Sequence, residues 1–549
     1  MLVKTYGAAV QGIDAIVVTI EVAIEWGSGI TMVGLPDTAV KESIERVMTA
    51  LDQHGYEQPR KHIIVNLSPA DVKKQGASYD LPIALGILAA YEKISPEIFP
   101  ESLIMGELSL DGTVLPVSGV LPMAIMARAR GIKNIFVPVE NATEAAVVNN
   151  VTVYGVRNLQ QIIDFINGTA TIESTIVNTR EEFARATDLF DVDFSEVKGQ
   201  ENVKRAFEVA CAGGHNILLV GPPGAGKSMM AKRLPSILPP LTLHEALETT
   251  KIHSVAGKLR SGSRLMTSRP FRSPHHTISP VALVGGGANP MPGEISLAHN
   301  GVLFLDEFPE FNRSVLEVMR QPLEDRHISI SRAKYAIDYP AGFMLVASMN
   351  PCPCGYYNHP KKDCTCLPGQ VTKYLNRISG PLLDRIDIQV EIMPVDFDEL
   401  SSMRPGESSA AIRRRVVAAR RIQTERFKDT PGVFSNAQMN SRLLEAYARP
   451  DAEGMAMLRD WMTRLDMSAR AYDRILKVAR TIADLEAAAS LPDPDSDSGS
   501  NSSEVNGAPS SEYMAALSVA VTASVEARHI AEAVGYRNLD RASWGTTFG

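Results

Sequence analysis

The chain has 549 residues, 45% of them apolar and 21% charged, and its 55 Lys and Arg against 63 Asp and Glu give a formal charge of −8. That length predicts several domains with ample core, while the acidic balance excludes a protein that coats nucleic acid through bulk positive charge, though not one with a local basic groove. Only five cysteines, an opening Met-Leu-Val-Lys-Thr-Tyr-Gly without a basic region and apolar run, and a longest apolar candidate of Met514–Val525 predict a cytoplasmic protein with no disulfide scaffold and no membrane partner.

Residues 1–168 alternate strand-like runs (Ile16–Val22, His62–Leu67, Ile135–Val139) with helical ones (Val40–His54, Leu81–Tyr91, Ala124–Arg130), which reads as an α+β domain. Residues 169–190 show no clear period and read as a linker. In 191–394, the apolar strands Ile217–Val220, Gly301–Leu305 and Phe343–Ala347 alternate with helical stretches, the pattern of a parallel sheet with crossover helices. From 395 to 549 the chain is rich in Ala, Arg, Glu and Leu at helical spacing and reads as an all-α domain. A stretch of about 491–511, opening Leu491-Pro-Asp-Pro-Asp-Ser-Asp-Ser, is too poor in apolar groups to repay ordering and reads as a flexible acidic loop. The fold class is therefore α/β multidomain.

The sharpest motif is Gly221-Pro222-Pro223-Gly224-Ala225-Gly226-Lys227-Ser228, between the strand Asn216–Val220 and the helical run Met229–Leu234. Glycines there let backbone N–H groups curl around a phosphate chain at a helix N-terminus. Lys227 would reach the β- and γ-phosphates and Ser228 would hold Mg²⁺. A nucleotide hydrolase also needs carboxylates at a neighbouring strand end. Asp306 and Glu307, after Gly301-Val-Leu-Phe-Leu, supply a Mg²⁺ organiser and a general base. A third strand ends in Met349-Asn350, an amide suited to orienting water against the γ-phosphate. Arg385, in Ser379-Gly-Pro-Leu-Leu-Asp-Arg-Ile-Asp387, suits a neighbouring subunit's γ-phosphate; taken alone it would read as a salt bridge to Asp384 or Asp387. Arg470, in Ser468-Ala-Arg-Ala-Tyr-Asp-Arg474, is a further phosphate contact, with a solvated helix face as the alternative.

In this order the motifs resemble an AAA+ ATPase of the magnesium-chelatase-like clade. Arg269-Pro-Phe-Arg-Ser-Pro-His-His-Thr277, Gly285-Gly-Gly, Pro292-Gly-Glu-Ile-Ser-Leu-Ala-His299 and Ser468-Ala-Arg-Ala-Tyr472 narrow the resemblance to the ComM/YifB family. It covers nearly the whole chain except the acidic loop. The resemblance implies an AAA+ P-loop core with an insert in its second helix, a β-hairpin at about Arg326–Pro340 and an all-α lid. It also implies a homo-oligomer, a hexameric ring whose central loops grip DNA, branched or single-stranded, during branch migration or helicase action in recombination. Arg332 and Lys334 on that hairpin would contact the DNA backbone. A magnesium-chelatase-type ATPase remodelling a protein partner for metal insertion is the main alternative.

The first block resembles the proteolytic domain of Lon. Gln75-Gly-Ala-Ser78 corresponds to the stretch with Lon's nucleophilic serine, and Gly106-Glu-Leu-Ser-Leu-Asp-Gly-Thr-Val-Leu-Pro116 to another Lon run. Continuing without a gap, the position of Lon's catalytic lysine is Leu121. Leucine cannot take the serine's proton, so the expectation is a Lon-like domain without peptidase activity, and an ATP-dependent protease is disfavoured.

Four of the five cysteines cluster as Cys352-Pro-Cys354 and Cys364-Thr-Cys366. Four thiolates match a tetrahedral, structural Zn²⁺, with His359 able to replace one ligand; redox-labile pairs and metal-free thiols are the alternatives. Cys211 reads as core and His275-His276 as loop packing. Arg413-Arg414-Arg415 with Arg420-Arg421 reads as a solvated helix face, with nucleic-acid contact as the alternative.

Overall fold

The structure, a computed structural model, describes residues 2–56, 61–179, 183, 190–259, 265–287, 290–332, 335–357, 359–394, 406–464, 468–492 and 511–537. The expected acidic loop lies almost wholly outside the described residues, as does Lys334.

Long alternating runs at the start pair locally. β1 (Leu2–Gln11) turns at Gly12, whose φ of +68° suits glycine, into antiparallel β2 (Asp14–Glu25). β4 (His62–Ser68) adds antiparallel to β2, and β3 (Gly29–Val33) lies parallel to β4, giving the order β1-β2-β4-β3. The helix Asp80–Ala90 is buried along its whole length and packs on β1 and β2, as a helix apolar on every face must, and its one charge, Asp80, is paired with Arg46 at 2.7 Å.

A second sheet takes β5 (Ser102–Ile104), β8 (Asn134–Pro138) and β9 (Thr152–Val156) in parallel, with β10 (Ser174–Thr175) antiparallel on β9. The short pair β6 (Glu107–Leu108) and β7 (Val114–Leu115) sits between β5 and the helix Val120–Ala129. β10 corrects the linker expectation for residues 169–179, whereas 180–182 and 184–189 lie outside the described residues. Ile172 and Val177 are buried in the N-terminal cores and Thr179 donates to the Val147 carbonyl. The apolar anchors of 169–179 are too widely spaced to show a period.

The central sheet is wholly parallel. β11 (Ile217–Val220), β12 (Phe271–Arg272), β15 (Val302–Leu305), β18 (Met344–Met349) and β19 (Ile388–Glu391) lie in the order β12-β15-β18-β11-β19. β11, β15 and β18 are buried at every residue, as strands covered on both faces are. Register aligns Val220 with Met349 and Leu305 with Ala347. The loops after β11, β15 and β18 therefore leave one edge side by side, where open α/β sheets bind ligands. Two hairpins branch from this core: β13 (Gly285–Gly286) with β14 (Met291–Pro292), and β16 (His327–Arg332) with β17 (Tyr335–Pro340).

Helices dominate the C-terminal part. The helix Ser409–Phe427 packs on Glu201–Gly213 beside the sheet and on Ala469–Ala488. Between them lies a fully buried ion pair, Arg426 to Asp484 at 2.6 Å, closed by the Asn436 amide at 2.7 Å. The solvated-face expectation for the arginine run is corrected here. Arg413 donates to the Leu238 carbonyl, Arg415 pairs with Glu208 and Glu407, and Arg420 donates to the Ala212 and Cys211 carbonyls. Arg414 and Arg421 are exposed. The helix is sandwiched, so only one of its faces meets water.

The N-terminal part rests on the core through the helix Leu243–Val255, which packs against Val120–Ala129. Glu144 links the two: its carboxylate accepts from the Leu121 backbone at 2.9 Å and from the Ser254 hydroxyl. Burial pushes the Glu144 carboxyl above its ordinary pKa.

Candidate nucleotide-binding site

Positive φ at Gly224 (+80°) and Gly226 (+85°) lets the segment after β11 curl before the helix Lys227–Ala231 starts. Gly221 is glycine for space: a Cβ would stand 2.5 Å from the Ile392 carbonyl oxygen. The curled loop encloses the Lys227 ammonium, which donates to the carbonyls of Gly221 (2.6 Å) and Pro222 (2.9 Å) and to Asn350 Oδ1 (3.0 Å). Burial pulls that ammonium below its ordinary pKa, against the opposing pull of the Asp306 and Glu307 carboxylates.

Ser228 Oγ donates to Asp306 Oδ2 at 2.6 Å, and Ser348 Oγ donates to Asp306 Oδ1. A hydroxyl and a carboxylate side by side are hard oxygen donors, and they suit Mg²⁺, which takes few protein ligands and keeps several waters. Glu307 follows in the left-handed region (φ 53°, ψ 46°), uncommon for a non-glycine residue. This turns its side chain, 59% exposed, outward from the strand end, with His276 Nδ1 3.5 Å from Oε2.

The structure thus brings together Lys227, Ser228, Asp306 and Asn350, with Glu307 at the rim. Sequence reasoning missed two partners. Ser348 is the lone hydroxyl in the apolar run Met344–Met349, a signal that was present. His276 packs its ring on His275 and Phe311, as loop packing would have it, but it also reaches Glu307: it follows β12 closely, and only the sheet order reveals that the end of β12 lies beside that of β15.

Arg385 and Arg470 belong to a second cluster. Arg385 is 6% exposed, donates to the Pro381 carbonyl at 2.6 Å and pairs with Glu324 at 2.5 Å rather than with Asp384 or Asp387. Arg470 is 62% exposed and lies 4.0 Å from Asp384. Asp387 is buried and bonds Arg474 at 2.9 Å and the Asn216 backbone at 3.0 Å. Burial would raise the Asp387 carboxyl, but Arg474 and His215 hold it well below the usual carboxylate range.

The four clustered thiols also converge. Cys352 Sγ lies 3.3 Å from Cys354 Sγ and 3.6 Å from Cys364 Sγ, and all four sulfurs fall within 4.8 Å of one another. His359 is not among this group: its Nδ1 accepts from the Lys361 backbone and its ring meets Tyr356. Cys211 is buried in the core.

In the first block, Leu121 is fully buried and Ser78 half-buried, the Ser78 carbonyl accepting from Gly106. Lys74, the buried lysine of the preceding loop, donates to the Pro69 carbonyl. Arg332 ends β16, and its side chain lies outside the described residues. A cavity of about 770 Å³ opens elsewhere, lined by Phe190, Asp193, Arg413, Arg414, Arg421 and Tyr513 and by none of Gly221–Ser228. Among the described residues no helix is long and apolar enough to cross a membrane.

A parallel sheet with a phosphate loop, an acidic strand end and an amide on the intervening strand defines a P-loop nucleoside-triphosphatase. Comparison with known proteins narrows this class. The family described as magnesium chelatase, subunit ChlI, matches residues 193–400, with subunit ChlI of Mg-chelatase at 20–141 and the ChlI C-terminal family at 406–495. YifB of Salmonella typhimurium is 44% identical over 482 residues, covering 87% of this chain and 92% of the relative. The competence protein ComM of Haemophilus influenzae is 42% identical over 488 residues, covering 88% and 94%. Lon protease 2 of Bacillus subtilis is 31% identical over 127 residues, 23% of this chain and 22% of its own length. The chain belongs to the ComM/YifB family of magnesium-chelatase-like AAA+ ATPases, with a Lon-like N-terminal region.

Proposed function

We propose that the protein is a Mg²⁺-dependent ATPase motor that assembles as a homo-oligomeric ring, a hexamer, and drives branch migration of DNA during recombination and the integration of incoming strands. The observation that carries the hydrolytic part is the convergence of Lys227, Ser228, Asp306 and Asn350 with Glu307 beside them. Lys227 binds the β- and γ-phosphates, Ser228 and Asp306 hold the metal, Asn350 orients the attacking water, and Glu307 takes its proton. Bound Mg²⁺ supplies charge neutralisation across the phosphates. Arg385 and Arg470 act on a γ-phosphate once subunits meet, which requires Arg385 to leave Glu324.

Two features favour the DNA part: 42% identity to a protein named for competence, and the presence of the hairpin β16–β17 at the edge of the ATPase core, on which Ile328, Ile330 and Tyr339 are buried. Arg332, which ends β16, and Lys334 take the phosphate backbone. The four thiols suit a structural Zn²⁺ by their number and spacing. The first block binds rather than cleaves, because Leu121 offers Ser78 no base.

The test is ATP hydrolysis with and without four-way-junction, forked and single-stranded DNA, with Glu307→Gln as control. Stimulation by branched DNA that the variant abolishes is expected. Hydrolysis indifferent to every DNA would remove the DNA part, and tetrapyrrole metallation with a partner would favour the chelatase alternative.

A further inference from the structure

We infer that the loop Cys352–Cys366 is a zinc–thiolate clamp that sets the position of the phosphate loop, so that metal loading controls nucleotide affinity rather than the hydrolytic step. This rests on the reading of Gly221–Ser228 as the ATP-binding loop.

The thiol geometry fits a metal and not a disulfide. Sulfur–sulfur distances of 3.3, 3.5 and 3.6 Å among Cys352, Cys354 and Cys364 are far beyond a bond of about 2.05 Å. They are close to the edge of about 3.8 Å of a tetrahedron with Zn–S distances near 2.3 Å. Thiolates select Zn²⁺ over Mg²⁺, whereas the Ser228–Asp306 oxygens select the reverse. The two metals therefore sort themselves between neighbouring sites.

One contact ties this loop to the phosphate loop, and two more join the phosphate loop to Met349 and Asn350 just before it. At its root, Gly221 N donates to the Met349 carbonyl at 3.2 Å, and Lys227 donates to Asn350 two residues before Cys352. At its first turn, Gly355 (φ +85°) lies flat against Pro223, so that a Cβ there would stand 2.5 Å from Pro223 Cδ. Gly355 is itself fixed by donating to the Cys352 carbonyl at 3.0 Å. The described residues of 351–367 include no helix or strand, so no backbone ladder holds the loop in place. A cross-link among the four sulfurs would do so, and the turn it fixes is the one touching Pro223.

The experiment uses the full-length protein. Zinc per chain is measured by mass spectrometry, and affinity by titration with a fluorescent ADP analogue. Expected are about one zinc per chain, its loss in Cys364→Ser/Cys366→Ser, and a dissociation constant raised about tenfold with kcat at saturating ATP little changed. Stripping zinc from the native protein should weaken binding in the same way, and zinc re-addition should restore it only where all four thiols remain. If the cysteine variant fails to fold, Gly355→Ala decides: it keeps the ligands and the zinc, and its methyl group displaces Pro223 and weakens binding. Freshly purified protein without zinc, or zinc loss with unchanged affinity, would overturn the inference. Lys227→Ala separates the two readings, because nucleotide binding undiminished in that variant would instead remove the ATP-site reading itself.

Discussion

The tasks proposed for Glu307 and Lys227 are separable because one sits at the rim and the other is enclosed. Glu307→Gln keeps the shape of the acid but cannot accept a proton, so hydrolysis should fall by about 10²–10⁴ while nucleotide binding survives; steady-state rates beside a binding titration check this. Lys227→Ala removes the cation bonded to the Gly221 and Pro222 carbonyls and should lose binding itself. His276, 3.5 Å from Glu307, bears on the orientation of the base proposed there. His276→Ala should lower kcat with KM little changed, and His276→Gln, which can still hydrogen-bond, should recover part of the loss. At this scale the sequence was informative wherever function is local: Gly221–Ser228 and Asp306-Glu307 are contiguous. Glu324 against Arg385 and His276 against Glu307 join distant segments through the fold, and no spacing rule in one chain reaches them.

Among the elements, the runs with one unbroken period were legible. β11, β15 and β18 read as buried strands because every residue in them is apolar or small. The helix Val120–Ala129 begins earlier than the expected Ala124–Arg130, and Glu144 satisfies its first backbone donors in place of a local cap. β12 spans only Phe271–Arg272 and was invisible, since a two-residue strand carries no period. The helix Ser409–Phe427 misled because arginine counts as polar in a pattern, while Arg415, Arg420 and Arg426 pay for burial of their stems with carbonyl and carboxylate partners. The Arg426–Asp484 pair, with no exposure on either side chain, gives the sharpest element-scale prediction. Asp484→Asn leaves a buried guanidinium charge uncompensated and should cost about 3–5 kcal/mol, read as a lower denaturant midpoint for loss of helical signal.

At the scale of the whole molecule, the helix Leu243–Val255 is shared. One side meets the Lon-like part through Ser254 and Lys251, whose ammonium pairs with Asp14. The other lies beside the segment around His299 and Asn300, where Asn300 donates to Thr249 at 3.2 Å and His299 pairs with Glu248 at 3.0 Å. Leu247→Glu, placed where this helix supports the N-terminal core, should loosen the Lon-like part without emptying the phosphate site. Limited proteolysis should then cut before residue 200 faster than in the native protein, with affinity for nucleotide retained.

The strand order also dictates when each part of the chain becomes useful during synthesis. β1 and β2 are sequence neighbours and close on each other as soon as they emerge. β11, which carries the phosphate loop, pairs with β18 and β19, whose residues lie beyond 340 and 387, and such long-range pairing is slow. A nascent chain halted near residue 300 would hold the complete Gly221–Ser228 sequence yet lack both strands that flank it. The proposed nucleotide site thus cannot form until most of the polypeptide has left the ribosome, long after the first sheet has formed.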